Sequence, residues 1–391
     1  MNWKIPLTKP DITDLERKAV LEVLKTPVLS LGPKLEEFEK KIAKYTGVKY
    51  AIGVNSGTSA LHLIIRALEI KEGDEVITTP FSFIASANCI LFERAKLVFV
   101  DIKSDTLNID PELVEGLITS RTKAILGVDV FGHPADWSRL EKIAKKHKLF
   151  LIEDSAEALG SQYLENRSPQ ENSSPKIKKW RKCGSFGDAG VFGFYPNKQI
   201  ITGEGGIVLT NNKKIADLCR SMANQGRKNE KGEWLEHIYL GYNYRMPEIC
   251  AAIGVAQLSR IDKILEKRDK VAKIYNKKLK NFSKIRIPYV DPNIKISRFV
   301  YVAHLSKKYS KKDRDRIIEK MAKKGIQCGN YFQPIHLQPF YRKTFGYTAG
   351  DFPITESIGQ RTVALPFYND LKEKEINYIV KTLKQILNAK V

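Results

Sequence analysis

The stretch Leu149-Phe150-Leu151-Ile152-Glu153-Asp154 decides the fold class, because it is a short apolar run that ends in carboxylates. Regular alternation of such buried runs with helix-patterned segments predicts an α/β fold, in which helices cover both faces of a mostly parallel sheet. A ligand of such a sheet binds beyond the carboxyl ends of the strands. The other predicted strands lie at Tyr50–Val54, 75–79, 97–101 and 124–128, and the predicted helices lie at 58–68, 84–92, 111–118 and 136–147.

The pattern changes after residue 251. A long helical segment at 251–279 is followed by a strand at 298–305 and by helices at 310–324 and 371–388. This order predicts a large domain at 1–265 and a smaller α+β C-terminal domain at 266–391.

The segment 165–182 interrupts the predicted large domain. It is rich in Ser, Pro and Asn, and it ends in the basic run Lys176-Ile177-Lys178-Lys179-Trp180-Arg181-Lys182. This composition is typical of an exposed loop. The basic end with its tryptophan can contact an anion or stack on a base, and a plain solvated insertion is the alternative explanation.

Length and composition exclude several classes of protein. The chain has 391 residues with the apolar and charged fractions of a soluble globular protein. No apolar run approaches the roughly 20 residues of a membrane span, and residues 1–6 lack the apolar core of a signal peptide. The five cysteines lack CxxC spacing and the six histidines are dispersed, so we expect reduced thiols, a cytoplasmic protein and no metal site.

The net charge of +22 has more than one explanation. It can indicate a polyanionic partner. However, the lysines are spread along helical faces and no RNA- or DNA-binding motif accompanies them, so we expect a lysine-rich surface and no nucleic-acid partner. A positive rim would also favour an anionic small substrate such as a sugar nucleotide.

Lys198 is the leading candidate for catalysis. It lies between an apolar run at 191–194 and the glycine-dense turn Gly203-Glu204-Gly205-Gly206. Burial disfavours the ammonium form of a lysine and lowers its pKa, and a neutral lysine can attack a carbonyl and form a Schiff base. Enzymes that use pyridoxal phosphate (PLP) need such a lysine, and so do class I aldolases. A surface lysine in a loop is the alternative that needs no function.

The run Asn55-Ser56-Gly57-Thr58-Ser59-Ala60-Leu61 follows the first predicted strand and opens a helix. Gly57 permits a tight turn, and free N–H groups at a helix N-terminus suit a phosphate. An ordinary Ser or Thr helix cap has the same appearance. The pattern is neither GxGxxG nor a P-loop, so it does not indicate NAD or ATP.

Three further residues have positions that suit a bound ring. Asp154 ends a buried strand, where a carboxylate needs a cationic partner such as a pyridinium nitrogen, or else it caps a helix. Glu157 can reach a ring hydroxyl or complete a capping box. Phe83 follows the strand at 75–79 and can stack on a ring, although a phenylalanine is more often a core residue.

Together these residues resemble the DegT/StrS family of PLP-dependent sugar aminotransferases. The resemblance covers the chain from about residue 5 to the C-terminus, and the stretch 241–257 most resembles the perosamine synthase branch, which aminates a GDP-linked 4-keto sugar. The motifs that carry it are Leu31-Gly32-Pro33, Phe38-Glu39, Ser56-Gly57-Thr58-Ser59-Ala60-Leu61-His62, Asn108-Ile109-Asp110-Pro111, Pro134-Ala135-Asp136, Ile152-Glu153-Asp154-Ser155-Ala156-Glu157-Ala158, Gly184-Ser185-Phe186-Gly187-Asp188, Lys198, Thr202-Gly203-Glu204-Gly205-Gly206, Gly241-Tyr242-Asn243-Tyr244-Arg245-Met246 and His336-Leu337-Gln338-Pro339.

The resemblance implies a fold-type I PLP aminotransferase that forms a homodimer with shared active sites. By position, Lys198 would form the Schiff base with PLP and carry protons, and Asp154 would pair with the pyridinium nitrogen. Glu157 would lie beside the 3-hydroxyl of the cofactor. His336 would lie where the sugar approaches and is the third candidate catalytic residue.

The resemblance also assigns the remaining cofactor contacts. Gly57 and Thr58 would bind the phosphate, Phe83 would stack on the ring, and Asn243 would contact the phosphate from the neighbouring subunit. One departure is Gly193, which stands where the family usually has a phosphate-binding Ser. The other is the insertion at 165–182, which we expect at the rim of the active site.

The predicted reaction is transfer of an amino group from glutamate to a nucleotide-linked 4-keto sugar, for amino-sugar and surface-polysaccharide biosynthesis. The turn 202–206 resembles that of enzymes that aminate C4, and Lys198 argues against the dehydratase branch, which has His there. The alternatives are amination of a 3-keto sugar within the family, an aldolase or lyase that uses a Schiff-base lysine without PLP, and a basic regulator or nucleic-acid binder.

Overall fold

The computed structural model describes residues 3–166, 178–228 and 236–389. Within these ranges the helices are α1 (Asp14–Leu24), α2 (Pro33–Thr46), α3 (Gly57–Ala67), α4 (Ala85–Phe92), α5 (Pro111–Val114), α6 (Trp137–His147), α7 (Lys213–Ala223), α8 (Glu248–Ser259), α9 (Ile261–Leu279), α10 (Lys311–Ala322), α11 (Pro339–Phe345), α12 (Pro353–Gly359) and α13 (Glu373–Asn388). The strands are β1 (Tyr50–Val54), β2 (Glu75–Thr78), β3 (Lys96–Phe99), β4 (Thr122–Val128), β5 (Phe150–Asp154), β6 (Gln162–Asn166), β7 (Lys178–Lys182), β8 (Ala189–Gly193), β9 (Gly206–Thr210), β10 (Ile285–Arg286), β11 (Ile294–Lys295), β12 (Tyr301–Leu305) and β13 (Thr362–Leu365).

The central sheet has seven strands in the order β1-β9-β8-β5-β4-β2-β3. The pairs from β8 to β3 are parallel, whereas β9 is antiparallel to both β8 and β1. β1 therefore points the same way as β8, and every strand except β9 ends at the same edge. The predicted α/β class with a mostly parallel sheet is confirmed, and each of the first five predicted strands is present.

Local sequence explains why the covering helices form where they do. In α6, the Asp136 side chain caps the N-terminus by accepting from the Arg139 N–H at 3.3 Å. The helix buries Trp137 and Leu140 on one face and places Lys and His in its last turn, where the helix dipole favours cations. Residues of this buried face belong to the apolar core between α6 and the sheet.

Helices α1 and α2 lie before the first predicted strand and are not among the predicted elements. Their signals are nevertheless local: Thr13 and Glu16 form a capping box at the start of α1. Helix α2 begins at Pro33 and ends at Gly47, which adopts the left-handed conformation with φ 87°. Both helices pack against α8.

The C-terminal half is built on a second, three-stranded sheet of order β10-β12-β13. The predicted single helix at 251–279 is wrong, since the chain forms α8 and α9 with a break at Arg260, where φ is −112° and ψ is 13°. The first turn of α9 packs in a core with α2 and β9, and its later turns pack in the core of the second sheet. The predicted boundary at residue 265 thus falls inside one helix and stays a prediction.

The third sheet has the order β11-β6-β7 and corrects the prediction of a loop at 165–182. The two ends of that segment pair as antiparallel strands, with Glu165 opposite Lys179 and Leu164 opposite Trp180. Lys295 on β11 lies over the Trp180 ring at 4.2 Å. Residues 167–177 of the predicted insertion lie outside the described residues.

In the described part of the chain, none of the helices combines the length and the hydropathy needed to cross a bilayer.

Candidate active site

A cavity of about 440 Å³ opens at the carboxyl edge of the central sheet. The ends of β1, β2, β4, β5 and β8 all contribute to its wall, as expected for a sheet of this topology. Its volume lies within the usual range of small-molecule sites. The sequence-predicted residues that line it are Gly57, Thr58, Phe83, Asp154, Glu157 and Lys198.

Lys198 lies in the loop between β8 and β9, and its side chain is only 14% exposed. Its Nζ atom is 3.6 Å from Oε1 of Glu157 and 4.3 Å from the centre of the Phe299 ring. The loop is fixed by the N–H of Lys198, which donates to the Tyr195 carbonyl at 2.9 Å. The structure therefore does not support the alternative of a freely solvated surface lysine.

Asp154 is the last residue of β5 and is buried at the floor of the cavity. Its carboxylate accepts from the Ser86 hydroxyl at 2.7 Å and from the Ala156 N–H at 3.1 Å. Burial raises the pKa of Asp154, while these two donors and the charge of Lys198 act in the opposite direction. Among the described residues no cation lies within ion-pair distance of this carboxylate, so it lacks the partner that a buried charge requires.

Glu157 forms the second buried carboxyl group of the cavity. The N–H of Phe131 donates to its Oε2 at 2.8 Å. Burial raises the pKa of Glu157 to about 7, although the nearby Lys198 ammonium and the Phe131 N–H both favour the ionised form. A carboxyl group with this pKa can hold or release a proton near neutral pH.

The N-terminus of α3 faces the same cavity. The Ser56 side chain caps the helix by accepting from the Ser59 N–H at 3.0 Å. The preceding N–H groups, those of Gly57 and Thr58, have no acceptor in the described part of the chain. Two free N–H groups at the positive end of a helix dipole are suited to a phosphate.

The remaining predicted residues differ in whether they line the cavity. Phe83 lines the cavity and is 60% exposed, so it is not a core residue. Asn243 does not line the cavity of its own chain, and its role toward a neighbouring subunit stays a prediction. Gly193 lines the cavity, and a Cβ there would come no closer than 3.4 Å to Ala156.

The structure does not bring His336 to the cavity. Its ring is fully buried, and Nε2 lies 3.0 Å from Oε1 of Glu356. Phe352 packs against the ring edge at 4.7 Å between centres. These neighbours enclose the imidazole in the single chain, and the catalytic role of His336 stays a prediction.

None of the described residues of the insertion, at 165–166 and 178–182, lines the cavity, and its expected position at the rim stays a prediction.

The sequence argument missed several cavity residues. Ser86 holds Asp154 and is itself 2.9 Å from the hydroxyl of Ser82, which lies four residues earlier in the segment before α4. The Ser82-Phe83-x-x-Ser86 spacing is a local signal that could have revealed this pair. Phe299 and Tyr331 come from the C-terminal half of the chain, and no local pattern indicates that they meet Lys198.

These residues fit PLP. The Asp154 carboxylate, which has no cationic partner among the described residues, suits a protonated pyridine nitrogen. The free N–H groups of α3 suit the phosphate, and the Lys198 amine suits the aldehyde. A carboxyl group, an anion-binding helix end and an amine thus line one cavity.

Comparison with known proteins agrees with this geometry. A model of the DegT/DnrJ/EryC1/StrS aminotransferase family matches residues 10–384. The chain belongs to this family. It is 35% identical over 387 residues to the GDP-perosamine synthase of Escherichia coli O157:H7, and the match covers 99% of each chain.

Solved structures of family proteins share the fold. Helicobacter pylori PseC, an aminotransferase involved in the biosynthesis of pseudoaminic acid, superposes with a TM-score of 0.88 and 30% identity, covering 99% of this chain and all of PseC. The PLP form of the sugar aminotransferase Spr1654 from Streptococcus pneumoniae superposes with a TM-score of 0.89 and 28% identity, covering 98% of both chains. This member of the DegT/DnrJ/EryC1/StrS family is a PLP-dependent sugar aminotransferase, as predicted, and not a PLP-free aldolase.

Proposed function

We propose that this aminotransferase moves an amino group from glutamate to a nucleotide-linked 4-keto sugar. The observation that carries the proposal is the meeting of Lys198, Asp154 and the N-terminus of α3 in one cavity. The similarity to GDP-perosamine synthase supports a nucleotide-linked hexose as the acceptor. The positive net charge favours an anionic substrate of this kind.

PLP, when bound, supplies an aldehyde that condenses with amines and a ring that accepts an electron pair from the adjacent carbon. In our proposal the Lys198 amine would hold the cofactor through its aldehyde, and Nζ would move the proton at the reacting carbon. The Asp154 carboxylate keeps the ring nitrogen protonated, and Ser86 fixes the orientation of that carboxylate.

The other cavity residues bind and shield. Glu157, at 3.6 Å from Lys198, exchanges a proton with the neighbouring amine or with the ring hydroxyl. The N–H groups of Gly57 and Thr58 hold the phosphate. Phe83 and Phe299 cover the ring and keep water away from the reacting carbon.

We further propose that the enzyme is a homodimer with shared active sites. Leu240 is 70% exposed and Phe83 and Tyr195 are also exposed, although all three are large apolar side chains. In the proposed dimer the partner subunit would cover these side chains. In the dimer, the partner would bring its own copy of Asn243 to the phosphate of this chain's cofactor.

The test combines trapping with a substrate panel. Borohydride reduction of the yellow protein should attach the cofactor covalently to Lys198, as located by peptide mass spectrometry. Lys198→Ala should lose both the visible absorbance and at least about 10²–10⁴-fold in transfer rate. Wild-type transfer by this variant would disprove the role of Lys198.

The panel identifies the acceptor. GDP-, UDP- and dTDP-linked sugars that carry the ketone at C4 or at C3 are each supplied with glutamate, and the aminated product is identified by mass spectrometry. The proposal predicts product from a 4-keto sugar. Product from 3-keto sugars alone would disprove the proposed 4-keto acceptor and support the alternative reaction. Turnover without glutamate would disprove glutamate as the donor.

A further inference from the structure

A second cavity lies behind the wall of the active site. It has a volume of about 30 Å³ and lies where residues 105–107 and 130–133 meet β12 and the preceding segment. Residues along the segment 298–304 alternate between two sides, so that Phe299 faces the main cavity while Arg298 and Val300 line the small one.

Arg298 is the main feature of the small cavity. It is 7% exposed, and in the described ranges its guanidinium has neither a hydrogen-bond acceptor nor a carboxylate partner. Its backbone carbonyl accepts from the Arg268 Nε at 2.8 Å. A buried guanidinium stays charged, and leaving it unpaired is costly, which indicates a partner outside the chain.

His304 also lines this cavity. Its Nδ1 is buried and has no hydrogen-bond partner. Burial, together with the charges of Arg286 and Arg361, lowers the pKa of His304 to about 3, so the ring is neutral at neutral pH. A neutral imidazole carries one N–H, which can donate to an acceptor in the cavity.

The other charged or titratable groups that face the cavity do not cancel the positive charge of Arg298. Arg286 donates to the Ser104 carbonyl at 2.7 Å and adds a second positive charge. His133 uses both ring nitrogens on backbone groups, of Pro134 and Asp291. Asp105 is exposed and is the acidic residue among those that line the cavity. The formal charge of the lining is therefore positive.

We infer that this cavity binds one small inorganic anion of the size of chloride, held by Arg298 and His304. A cavity needs about 10–15 Å³ of this kind of volume for one water, so the space admits two waters or one monatomic anion. It is far smaller than the main cavity and cannot hold a sugar nucleotide. The site is thus separate from the substrate and cofactor and goes beyond the proposed function.

The anion would stabilise the rear wall of the active site. Phe131 lines the small cavity, and its N–H donates to Glu157 on the opposite side. Phe299, next to Arg298 in the chain, lies 4.3 Å from Nζ of Lys198. An occupied site therefore fixes two segments that each touch a group in the main cavity.

Bromide provides a direct test, because it replaces chloride and is visible by anomalous diffraction. Crystals of the full-length PLP enzyme soaked in sodium bromide should show an anomalous peak between Arg298 and His304. Bromide on the surface but not in this cavity would overturn the inference, and this result does not require any variant to fold.

Thermal unfolding provides the second test. At constant ionic strength, replacing sodium gluconate with sodium chloride should raise the Tm of the wild-type enzyme in a saturable way, by about 1–3 °C. Arg298→Gln should abolish this rise, whereas the exposed Arg316→Gln should keep it. A rise of the same size in Arg298→Gln would show that chloride acts elsewhere and would overturn the inference.

Discussion

Glu157→Gln is the change that most sharply tests the electrostatics of the site. The folded protein holds the proton of Glu157 up to a pKa of about 7, whereas the ordinary value is 4.5. Because the folded-state pKa is raised, the group stabilises the fold below pH 4.5, and this contribution is lost as the pH rises through 7. The difference between these two pKa values corresponds to about 3 kcal/mol in the free energy of unfolding, at 1.36 kcal/mol for each pKa unit.

The glutamine variant has no such titration but keeps an acceptor for the Phe131 N–H. The free energy of unfolding of wild type minus that of Glu157→Gln should therefore fall by about 3 kcal/mol between pH 4.5 and pH 8. The assay is urea unfolding of cofactor-free protein at half-unit pH steps. Glu72→Gln, which removes an exposed carboxylate, serves as the matched control and should follow the wild-type profile.

A flat difference across this pH range would refute the reasoning, since it would mean that Glu157 ionises at the same pH in the folded and unfolded chains. Carbon-13 NMR of labelled glutamate checks the same point independently. The signal missing from Glu157→Gln should titrate near pH 7 in wild type.

Two glycine substitutions test the phosphate end of the cavity. A Cβ at Gly206 would overlap the Ser56 carbonyl, so Gly206→Ala should destabilise the protein by about 1–3 kcal/mol and weaken PLP retention on dialysis. Gly116→Ala is the control, because a Cβ there meets nothing within 4 Å. Equal PLP retention in the two variants would contradict this prediction. At Gly193 a Cβ would stay 3.4 Å from Ala156, so Gly193→Ser should fit and supply the hydroxyl that the family usually has there. A hydrogen bond to a charged group is worth about 1.5–3 kcal/mol, so the Kd for PLP, measured by absorbance titration, should fall about tenfold or more, and an unchanged Kd would be the contrary result.

The fold and one side of the site could be predicted because their signals are local. The strand that ends at Asp154 and the turn at Gly57 each indicate the carboxyl end of a strand, and the carboxyl ends of parallel strands lie at the same edge of a sheet. The break at Arg260 carries no comparable signal, since neither proline nor glycine marks it. Apolar periodicity alone continues across it, which is why one long helix was expected there.

The other side of the site could not be predicted because it is assembled over long sequence separations. Tyr331 and Phe299 reach the cavity from the C-terminal half, and no pattern near them specifies Lys198 as a neighbour. The burial of His336 likewise could not be predicted, because its motif position does not indicate that Phe352 packs against its ring.

The adjacent residues Glu153 and Asp154 of β5 have different roles in the structure. Successive side chains of β5 point to opposite faces, so Asp154 faces the cavity and Glu153 faces inward. Glu153 accepts from the N–H groups of Gly184 and Phe186, each at 2.7 Å, and thereby fixes β5 to the loop before β8. Burial and the neighbouring Asp129 raise the pKa of Glu153 well above its ordinary value, which favours its protonated form.

Two buried carboxyl groups, those of Glu153 and Asp129, lie beneath the site, and burial raises the pKa of each. The Ser155 hydroxyl lies within hydrogen-bond distance of both Glu153 and Asp129, yet it has one hydrogen and can donate to only one of them. A proton held between these two carboxyl groups would supply the missing donor and remove one negative charge from the interior. On the cavity side of the strand, burial also raises the pKa of Asp154, and a protonated ring nitrogen would be the cationic partner that favours its ionised form.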